Sequence, residues 1–285
     1  MFSFTKMHGC GNSFVLIYDQ NQKIFPFKTV FAKHICHEHT GLGADGFILL
    51  EPSANRLAAF RMTYLNRDGS EGNLCGNGLR CAARYGVEQG MFTKEALIET
   101  RTGLLPVYAI DWQSFRVLIP QKNNPYLNVP INMPSDIAKH IDFIDTGVPH
   151  LVVEIPEHKL PSLDVQKLGA MLRWHNQFAP HGTNVNFISR IGENYLKIRT
   201  FERGVEGETL SCGTGVTAAA LITFYRYHVQ PPIHVQPLNG SMIVDFQQNT
   251  DGGFKVFLSG PTMIIAKGEI NQEWLLSYCP ELLYC

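Results

Sequence analysis

Two short motifs of the form Cys-Gly-x-Gly hold the residues best suited to chemistry, one beginning at Cys75 and the other at Cys212. Small and apolar residues follow each motif at the i, i+3, i+4 spacing of a helix. A helix N-terminus presents unpaired N–H groups to a carboxylate or phosphate, and glycine lets a ligand approach the backbone closely. A cysteine just before such an N-terminus gains thiolate character because its pKa falls. The motifs therefore predict two reactive thiols, each beside an anion-binding helix end.

Two thiols that face one anion-binding cleft could invert a stereocentre. One thiolate would remove the α-proton of a carboxylic acid, and the opposed thiol would deliver a proton to the other face of the same carbon. The helix N-termini would stabilise the negative charge that develops on the carboxylate. A single cysteine in a glycine-rich turn is more often a small buried residue, but two in equivalent places favour chemistry.

The equivalence of the two motifs depends on an internal repeat. Three pairs of short matches occur in the same order along the chain, at offsets of 138, 140 and 137 residues. The pairs are Gly9–Val15 with Gly147–Val152, Gly46–Ile48 with Asn186–Ile188, and Cys75–Gly78 with Cys212–Gly215. Collinear matches near half the chain length indicate a duplication and predict two similar domains of roughly 120–140 residues with a cleft between them.

Local patterns predict the elements that position these motifs. Short β-rich segments bounded by turn residues predict strands at Phe14–Tyr18, Phe47–Leu50, Phe115–Ile119, Leu151–Ile155, Leu196–Thr200 and Met242–Phe246. Helical periodicity predicts helices at Thr29–Glu38, at Val165–Trp174 and after each of Gly78 and Gly215. The stretch Pro120–Pro134, rich in Asn and Pro, predicts a connecting loop.

Composition favours a cytoplasmic enzyme. Of the 285 residues, 45% are apolar and 17% are charged, and 24 Lys and Arg residues balance 25 Asp and Glu residues. The formal net charge of −1 argues against nucleic acid as a partner, because phosphate binding needs a basic surface. No apolar run of the sequence reaches the length of a membrane span, and the N-terminal residues lack a signal-peptide pattern. We therefore expect neither a membrane nor a nucleic-acid partner.

The remaining cysteines and histidines do not predict a metal or a disulfide scaffold. The seven cysteines are odd in number, widely spread and without a C-x-x-C pair, which predicts reduced thiols. The densest group of potential metal ligands is His34, Cys36, His37, Glu38 and His39. A solvated helix C-terminus explains this group better than a metal site does, because such side chains suit the terminal carbonyls.

Longer motifs surround the two cysteines, at Lys6–Phe14, Asn66–Glu71, Cys75–Gly78, Glu202–Gly204 and Glu208–Gly215. In combination they resemble the motifs of the diaminopimelate epimerase family. The resemblance implies an epimerase that needs no pyridoxal phosphate or other cofactor and interconverts LL- and meso-diaminopimelate in lysine and peptidoglycan-precursor synthesis. It implies an α/β (α+β) fold of two pseudo-symmetric domains, each a mostly antiparallel sheet wrapped round a central helix, with the active site in the interdomain cleft. The expected domains are residues 1–120 with 262–285, and 121–261, and a homodimer is expected.

The resemblance also assigns roles by position. Cys75 and Cys212 match the catalytic base and acid, and His150 and Glu202 match positions that tune the two thiols. The expected substrate-binding residues are Asn12, Asn66, Gly76, Asn77, Asn184, Glu202, Arg203, Gly213 and Thr214. Among these, Glu202 would face an ammonium group and Arg203 would grip a carboxylate through two hydrogen bonds. The substrate is thus expected to be a small amino acid.

Three departures from the family pattern concern the distal end of the substrate. Val148 stands where the family often has Asn, Gly46 stands where some members have Gln, and Glu202–Glu208 contains one extra residue. Loss of a polar partner of the substrate typically costs about 1–3 kcal/mol, which predicts looser selectivity that extends to a shorter acidic amino acid such as glutamate. The alternatives are a racemase of another amino acid, such as glutamate, proline or histidine, a non-catalytic amino-acid-binding protein, and a redox-sensing dithiol protein.

Overall fold

The structure is a computed structural model that describes residues 2–119, 124–248 and 254–283. The chain divides into two compact units, Met1–Val117 with Pro261–Cys285, and Leu118–Gly260, which we call the first and the second unit. The α-helices are α1 (Lys28–Ile35), α2 (Gly76–Glu88), α3 (Val165–Arg173), α4 (Gly213–Tyr227) and α5 (Gln272–Tyr278).

In chain order, the first seven strands are β1 (Ser3–Gly9), β2 (Asn12–Tyr18), β3 (Gly46–Glu51), β4 (Ala58–Asn66), β5 (Glu95–Thr100), β6 (Gly103–Ala109) and β7 (Ser114–Ile119). There follow β8 (His140–Asp145), β9 (Pro149–Glu154), β10 (Asn184–Arg190), β11 (Tyr195–Glu202), β12 (Gly207–Thr209), β13 (Ile233–Gln236), β14 (Met242–Gln248) and β15 (Phe254–Pro261). The last strand, β16 (Met263–Glu269), returns to the first unit and pairs antiparallel with β1.

Both units use the same succession of strand pairings. In the first unit β1–β2 is antiparallel, β2–β3 parallel, β3–β4 antiparallel, β4–β5 parallel and β5–β6 antiparallel. In the second unit β8–β9 is antiparallel, β9–β10 parallel, β10–β11 antiparallel, β11–β13 parallel and β13–β14 antiparallel. The repeated topology agrees with the duplication that the sequence predicts, and the sheets are mostly antiparallel.

The helix after each Cys-Gly-x-Gly motif lies at the centre of its unit. Helix α2 contacts β1, β2, β3, β4 and β6, and α4 contacts β8, β9, β10, β11, β13 and β14. Most residues of both helices are buried. A β-carbon on Gly86 of α2 would lie 2.4 Å from Phe92 and 2.9 Å from Phe60. Glycine therefore permits this close approach of the helix to the rings around it.

The outer helices close apolar cores on the other side of each sheet. Phe31 of α1 packs with its ring centroid 5.1 Å from Phe47 of β3 and 5.9 Å from Trp274 of α5. In the second unit, Gly169 of α3 faces the ring of Phe201 on β11. Burying an aromatic or aliphatic side chain of this size stabilises a protein by roughly 1.5–3 kcal/mol, which holds the outer helices against the sheets.

The predicted elements agree with the structure except at their ends. All six predicted strands fall on β2, β3, β7, β9, β11 and β14, although β9 ends one residue before Ile155. Helix α1 ends at Ile35 rather than Glu38, because the chain turns back and Leu42 donates its N–H to the Ile35 carbonyl at 2.8 Å. Of the predicted connecting loop, residues 120–123 lie outside the described residues, and Tyr126 makes an isolated bridge to Phe143.

Within the described ranges, no helix combines the length and hydropathy that a membrane span requires.

Candidate active site

Cys75 and Cys212 occupy the same position relative to the two central helices. Each is the residue that caps the helix N-terminus, with φ −126° and ψ 113° at Cys75 and φ −118° and ψ 111° at Cys212. At Cys75 the side chain accepts from the N–H of Gly78 in the first turn of the helix. Both cysteines thus lie at the N-terminus of a central helix, the end at which negative charge is stabilised.

Cys75 is partly exposed and has donors and acceptors on both sides. The Gly78 N–H donates to its Sγ at 3.4 Å, and the thiol donates to Oδ1 of Asn12 at 3.6 Å. Deprotonation would keep the Gly78 bond, because a thiolate accepts hydrogen bonds and does not donate them. The site is thus arranged for a sulfur that alternates between thiol and thiolate.

Asn12 connects Cys75 to a chain of polar side chains. Asn77 donates its Nδ2 to Oδ1 of Asn12 at 3.4 Å, and Asn12 donates its own Nδ2 to the Asp45 carboxylate at 3.1 Å. Arg80 of α2 donates from Nη2 to Oδ1 of Asn77 at 2.9 Å. Because guanidinium groups only donate and carboxylates only accept, these bonds fix the orientation of both amides.

Arg80 is a fully buried cation at the end of this chain of contacts. Its second contact is a long bond from Nη2 to Sγ of Cys10 at 3.8 Å, and no side-chain carboxylate pairs with it among the described residues. Its Nε and Nη1 find no acceptor within residues 2–119, 124–248 and 254–283. Burial raises the pKa of the Cys10 thiol, an effect that the adjacent Arg80 opposes. A buried charge of this kind favours negative charge nearby.

Asn66 is held apart from that chain by Tyr64. The Tyr64 hydroxyl donates to Oδ1 of Asn66 at 2.8 Å, and Asn66 donates its Nδ2 to Oγ of Ser70 at 3.0 Å. A β-carbon on Gly46 would lie 2.6 Å from the Tyr64 ring, and one on Gly72 would also lie 2.6 Å from it. The ring of Tyr64 therefore fills the space in which a longer side chain at position 46 would begin.

Cys212 is more buried than Cys75 and has a hydroxyl beside it. Its side chain is 8% exposed, and its Sγ lies 3.4 Å from Oγ1 of Thr214. Thr146 donates its hydroxyl to the Thr214 carbonyl at 3.2 Å and so ties the first turn of α4 to the end of β8.

His150 on β9 lies in a wholly buried polar group of the second unit. Asn186 on β10 contacts its Nδ1 at 3.0 Å and donates to the Leu151 carbonyl at 3.0 Å, and Thr200 on β11 donates to Asn186 Oδ1 at 3.1 Å. Burial, reinforced by the charge of Arg203, lowers the pKa of His150 to about 3. The imidazole is therefore neutral at physiological pH.

The other expected site residues of the second unit form two local contacts. Asn184 accepts from the Arg203 N–H at 2.9 Å and donates to the Pro149 carbonyl at 3.0 Å, so it fixes the start of the turn after β11. The Glu202 carboxylate accepts from Oγ1 of Thr209 at 2.5 Å.

The structure brings together some of the expected residues and adds others. Asn12, Cys75 and Asn77 form one connected group, and Cys212 and Thr214 another, while Gly76 and Gly213 begin the central helices. The residues that sequence reasoning missed are Asp45, Tyr64, Arg80, Asn186 and Thr200. Only Asn186 left a signal, since it lies in one of the three repeated matches.

Potential metal ligands are not clustered. No group of three or more His, Cys, Asp or Glu side chains in the described part of the chain is arranged to hold a metal ion. At the end of α1, His37 accepts from the Thr40 N–H at 3.2 Å, and burial raises the pKa of Cys36 to about 12.

Comparison with known structures shows the same fold in proteins of low sequence identity. A phenazine biosynthesis protein of the PhzF family from Bacillus anthracis is 14% identical, with a TM-score of 0.74 over 95% of this chain and 99% of that one. A probable proline racemase from Agrobacterium radiobacter K84 is 16% identical, with a TM-score of 0.70 over 95% and 93%.

Comparison of sequences gives the family. The diaminopimelate epimerase of Hydrogenobaculum sp. (strain Y04AAS1) is 36% identical over 94% of this chain and 98% of its own length. That of Aquifex aeolicus is 36% identical over 95% and 99%, and that of Chlorobaculum tepidum is 37% identical over 93% and 100%. The family profile described as diaminopimelate epimerase matches residues 4–114 and 143–264. The chain belongs to the diaminopimelate epimerase family.

Proposed function

We propose that this protein is an isomerase that epimerises LL-diaminopimelate to meso-diaminopimelate with two cysteines and without a cofactor. The observation that carries the proposal is the pair of equivalent cysteines, Cys75 and Cys212, each capping the central helix of its unit with the same backbone geometry. Membership of the family and near full-length similarity to enzymes of this name support the substrate.

The reaction is a proton exchange at one α-carbon. One thiolate takes the α-proton, which breaks the C–H bond, forms an S–H bond and leaves the electron pair delocalised into the carboxylate. The thiol of the other cysteine then gives its proton to the other face of the same carbon and becomes the thiolate. The two sulfurs end the turnover with exchanged protonation states, so each serves as base for one stereoisomer.

The expected binding residues stabilise the charge that this reaction develops. The N–H groups at Gly76, Asn77, Gly213 and Thr214, in the first turns of α2 and α4, are donors for the reacting carboxylate. Arg203 and Glu202, adjacent at the end of β11, suit the carboxylate and the ammonium group of a zwitterion. Asn12, Asn66 and Asn184 supply neutral hydrogen bonds around it, and His150 and Glu202 are the residues expected to tune the thiols.

The homodimer and the cytoplasmic location that the sequence predicts stay predictions. Both follow from the resemblance and the composition.

The test is stereoinversion and α-hydrogen exchange of LL-diaminopimelate in D₂O, followed by NMR without added pyridoxal phosphate. Cys75→Ala and Cys212→Ala are each expected to abolish inversion, a loss of at least about 10²–10⁴-fold. Cys81→Ala is the matched control, because Cys81 lies on α2 but is fully buried and its pKa is raised by that burial. Inversion retained in either active-site variant, or absent from the freshly reduced wild type, would refute the proposal.

A further inference from the structure

The buried polar group around His150 has only one consistent pattern of donors and acceptors. The Leu151 carbonyl can only accept, so the Asn186 atom 3.0 Å from it must be the amide nitrogen. The Thr200 hydroxyl then donates to the remaining oxygen, Oδ1, at 3.1 Å. The orientation of the Asn186 amide is therefore fixed by its neighbours.

This orientation determines where His150 carries its proton. The same Asn186 nitrogen lies 3.0 Å from Nδ1 of His150, and an amide nitrogen only donates. Nδ1 must then accept, so the neutral ring carries its hydrogen on Nε2. A second proton on Nδ1 would point at the amide hydrogens, which agrees with the low pKa that burial gives this ring.

The Nε2–H group has no acceptor within the described residues. His150 is 0% exposed, and its Nε2 is buried without a hydrogen-bond partner in residues 2–119, 124–248 and 254–283. A buried donor without an acceptor is destabilising, because the loss of its hydrogen bonds to water is not compensated. A bound acceptor would remove this destabilisation.

The polar group is packed against the turn that carries Cys212. A β-carbon on Gly215 would lie 2.3 Å from Asn186 Oδ1 and 3.3 Å from the Cys212 β-carbon. The absence of a side chain at Gly215 lets Asn186 reach the first turn of α4, and any movement of Asn186 would displace that turn. Among the residues that the structure describes, the other side chain that hydrogen-bonds to Asn186 is that of Thr200, which is uncharged, and the charge that acts on His150 is that of Arg203.

We propose that Asn186 is a positioning residue that locks His150 in the neutral Nε2–H tautomer, so that during the reaction this ring can only donate a hydrogen bond, through Nε2, to a group that becomes negative, and cannot act as a base. The proposal deepens the proposed function and depends on it for the reaction. It assigns His150 a fixed charge of zero throughout turnover. Asn186 acts only through the imidazole and touches no reacting atom.

The first test is ¹⁵N NMR of the histidine rings in the resting full-length protein. His150→Gln identifies the His150 signals by their absence. We expect a non-protonated Nδ1 and a protonated Nε2, unchanged from pH 5.5 to pH 8, as a tautomer fixed by a buried amide requires. Asn186→Asp replaces the donor with an acceptor and is expected to move the proton to Nδ1. A wild-type His150 that carries its proton on Nδ1, or titrates in this range, would overturn the proposal.

The second test is the kinetics of diaminopimelate inversion. Asn186→Asp and Asn186→Leu are expected to lower kcat by about 100-fold with little change in KM, because the donor is lost only where charge develops. Ser189→Ala is the control for a buried polar change on the same strand, since Ser189 is 0% exposed and donates to the Ile155 carbonyl. An equal loss of kcat in Ser189→Ala would mean that Asn186 has only a structural role.

The NMR result needs no turnover. Absence of epimerase activity would therefore refute the proposed function and the catalytic role of His150, while the tautomer of His150 would still have been measured.

Discussion

The N-termini of α2 and α4 have the same backbone conformation but different electrostatics in the side chains behind it. Behind Cys75, polar contacts run through Asn12 and Asn77 to Arg80, a buried cation without a carboxylate partner among the described residues, while Asn12 also donates to the exposed Asp45 carboxylate. Behind Cys212, the buried polar group of the second unit is uncharged, since burial keeps His150 neutral. Duplication therefore preserved the capping geometry while the supporting side chains diverged.

This difference matters because a two-base reaction is not symmetric at any instant. One sulfur must be a thiolate and the other a thiol when the substrate binds. A buried cation stabilises a nearby thiolate more than a neutral hydrogen-bond donor does. We therefore expect the resting thiolate at Cys75 and the resting thiol at Cys212.

The largest expected effect comes from replacing His150, the neutral imidazole behind Cys212, and it is an effect on the stability of the protein in acid. The folded-state pKa of His150, about 3, lies below its ordinary value of 6.5, so between these values the unfolded chain binds a proton that the folded chain does not. Stability is therefore complete above pH 6.5 and falls by up to roughly 1.4 kcal/mol per pH unit below it. In His150→Gln this slope should disappear from urea unfolding measured between pH 6.5 and pH 4.5. The exposed His158→Gln is the control, and an unchanged slope in His150→Gln would contradict the assignment.

The role of Arg80, the buried cation behind Cys75, is tested by Arg80→Met. Removing the buried cation is expected to slow iodoacetamide alkylation of Cys75 at pH 7 by about tenfold, because less of it is thiolate. Alkylation of Cys212, followed in the same samples by mass spectrometry, should keep its wild-type rate. Arg84→Met is the matched control, since Arg84 is buried on the same helix but donates to the Thr262 carbonyl at 2.7 Å. If alkylation of Cys75 and of Cys212 slowed equally, the expected electrostatic difference between the N-termini of α2 and α4 would be wrong.

A smaller effect is expected from Tyr64→Phe, which removes the hydroxyl that orients Asn66. Loss of one neutral hydrogen bond corresponds to a rise in KM of about 3- to 10-fold with kcat unchanged. Tyr85→Phe makes the same chemical change at another half-buried tyrosine of the first unit and should leave KM as it is. A fall in kcat at constant KM would instead place Tyr64 in the chemical step.

How much of this arrangement could be read from the sequence depends on the distance between partners along the chain. The two cysteines and their helices were predictable because the motif, the turn and the helix are contiguous. Arg80 was not, because its contact with Cys10 joins residues 70 positions apart. Asn186 lies in one of the repeated matches, but it is 36 positions from His150, and its contact with that ring appears only when parallel pairing of β9 and β10 brings them together. Gly46 was noticed as a departure from the family, but only the Tyr64 ring explains it.

The smallest expected effect concerns selectivity, where the sequence and the structure bear on different positions. Val148 lies in the turn before β9, its carbonyl accepting from the Thr146 N–H at 3.1 Å, and its side chain offers no hydrogen bond to the distal end of a substrate. Tyr64, in contrast, fills the space beside Gly46 and supplies a hydroxyl there, so that only position 148 loses polarity.

Looser recognition of the distal group then predicts measurable α-hydrogen exchange with L-glutamate. Val148→Asn should raise the ratio of kcat/KM for diaminopimelate over glutamate by about 2- to 5-fold, the lower part of the range for one hydrogen bond. Val148→Thr separates polarity from size, and a ratio unchanged in both variants would mean that position 148 does not contact the distal group.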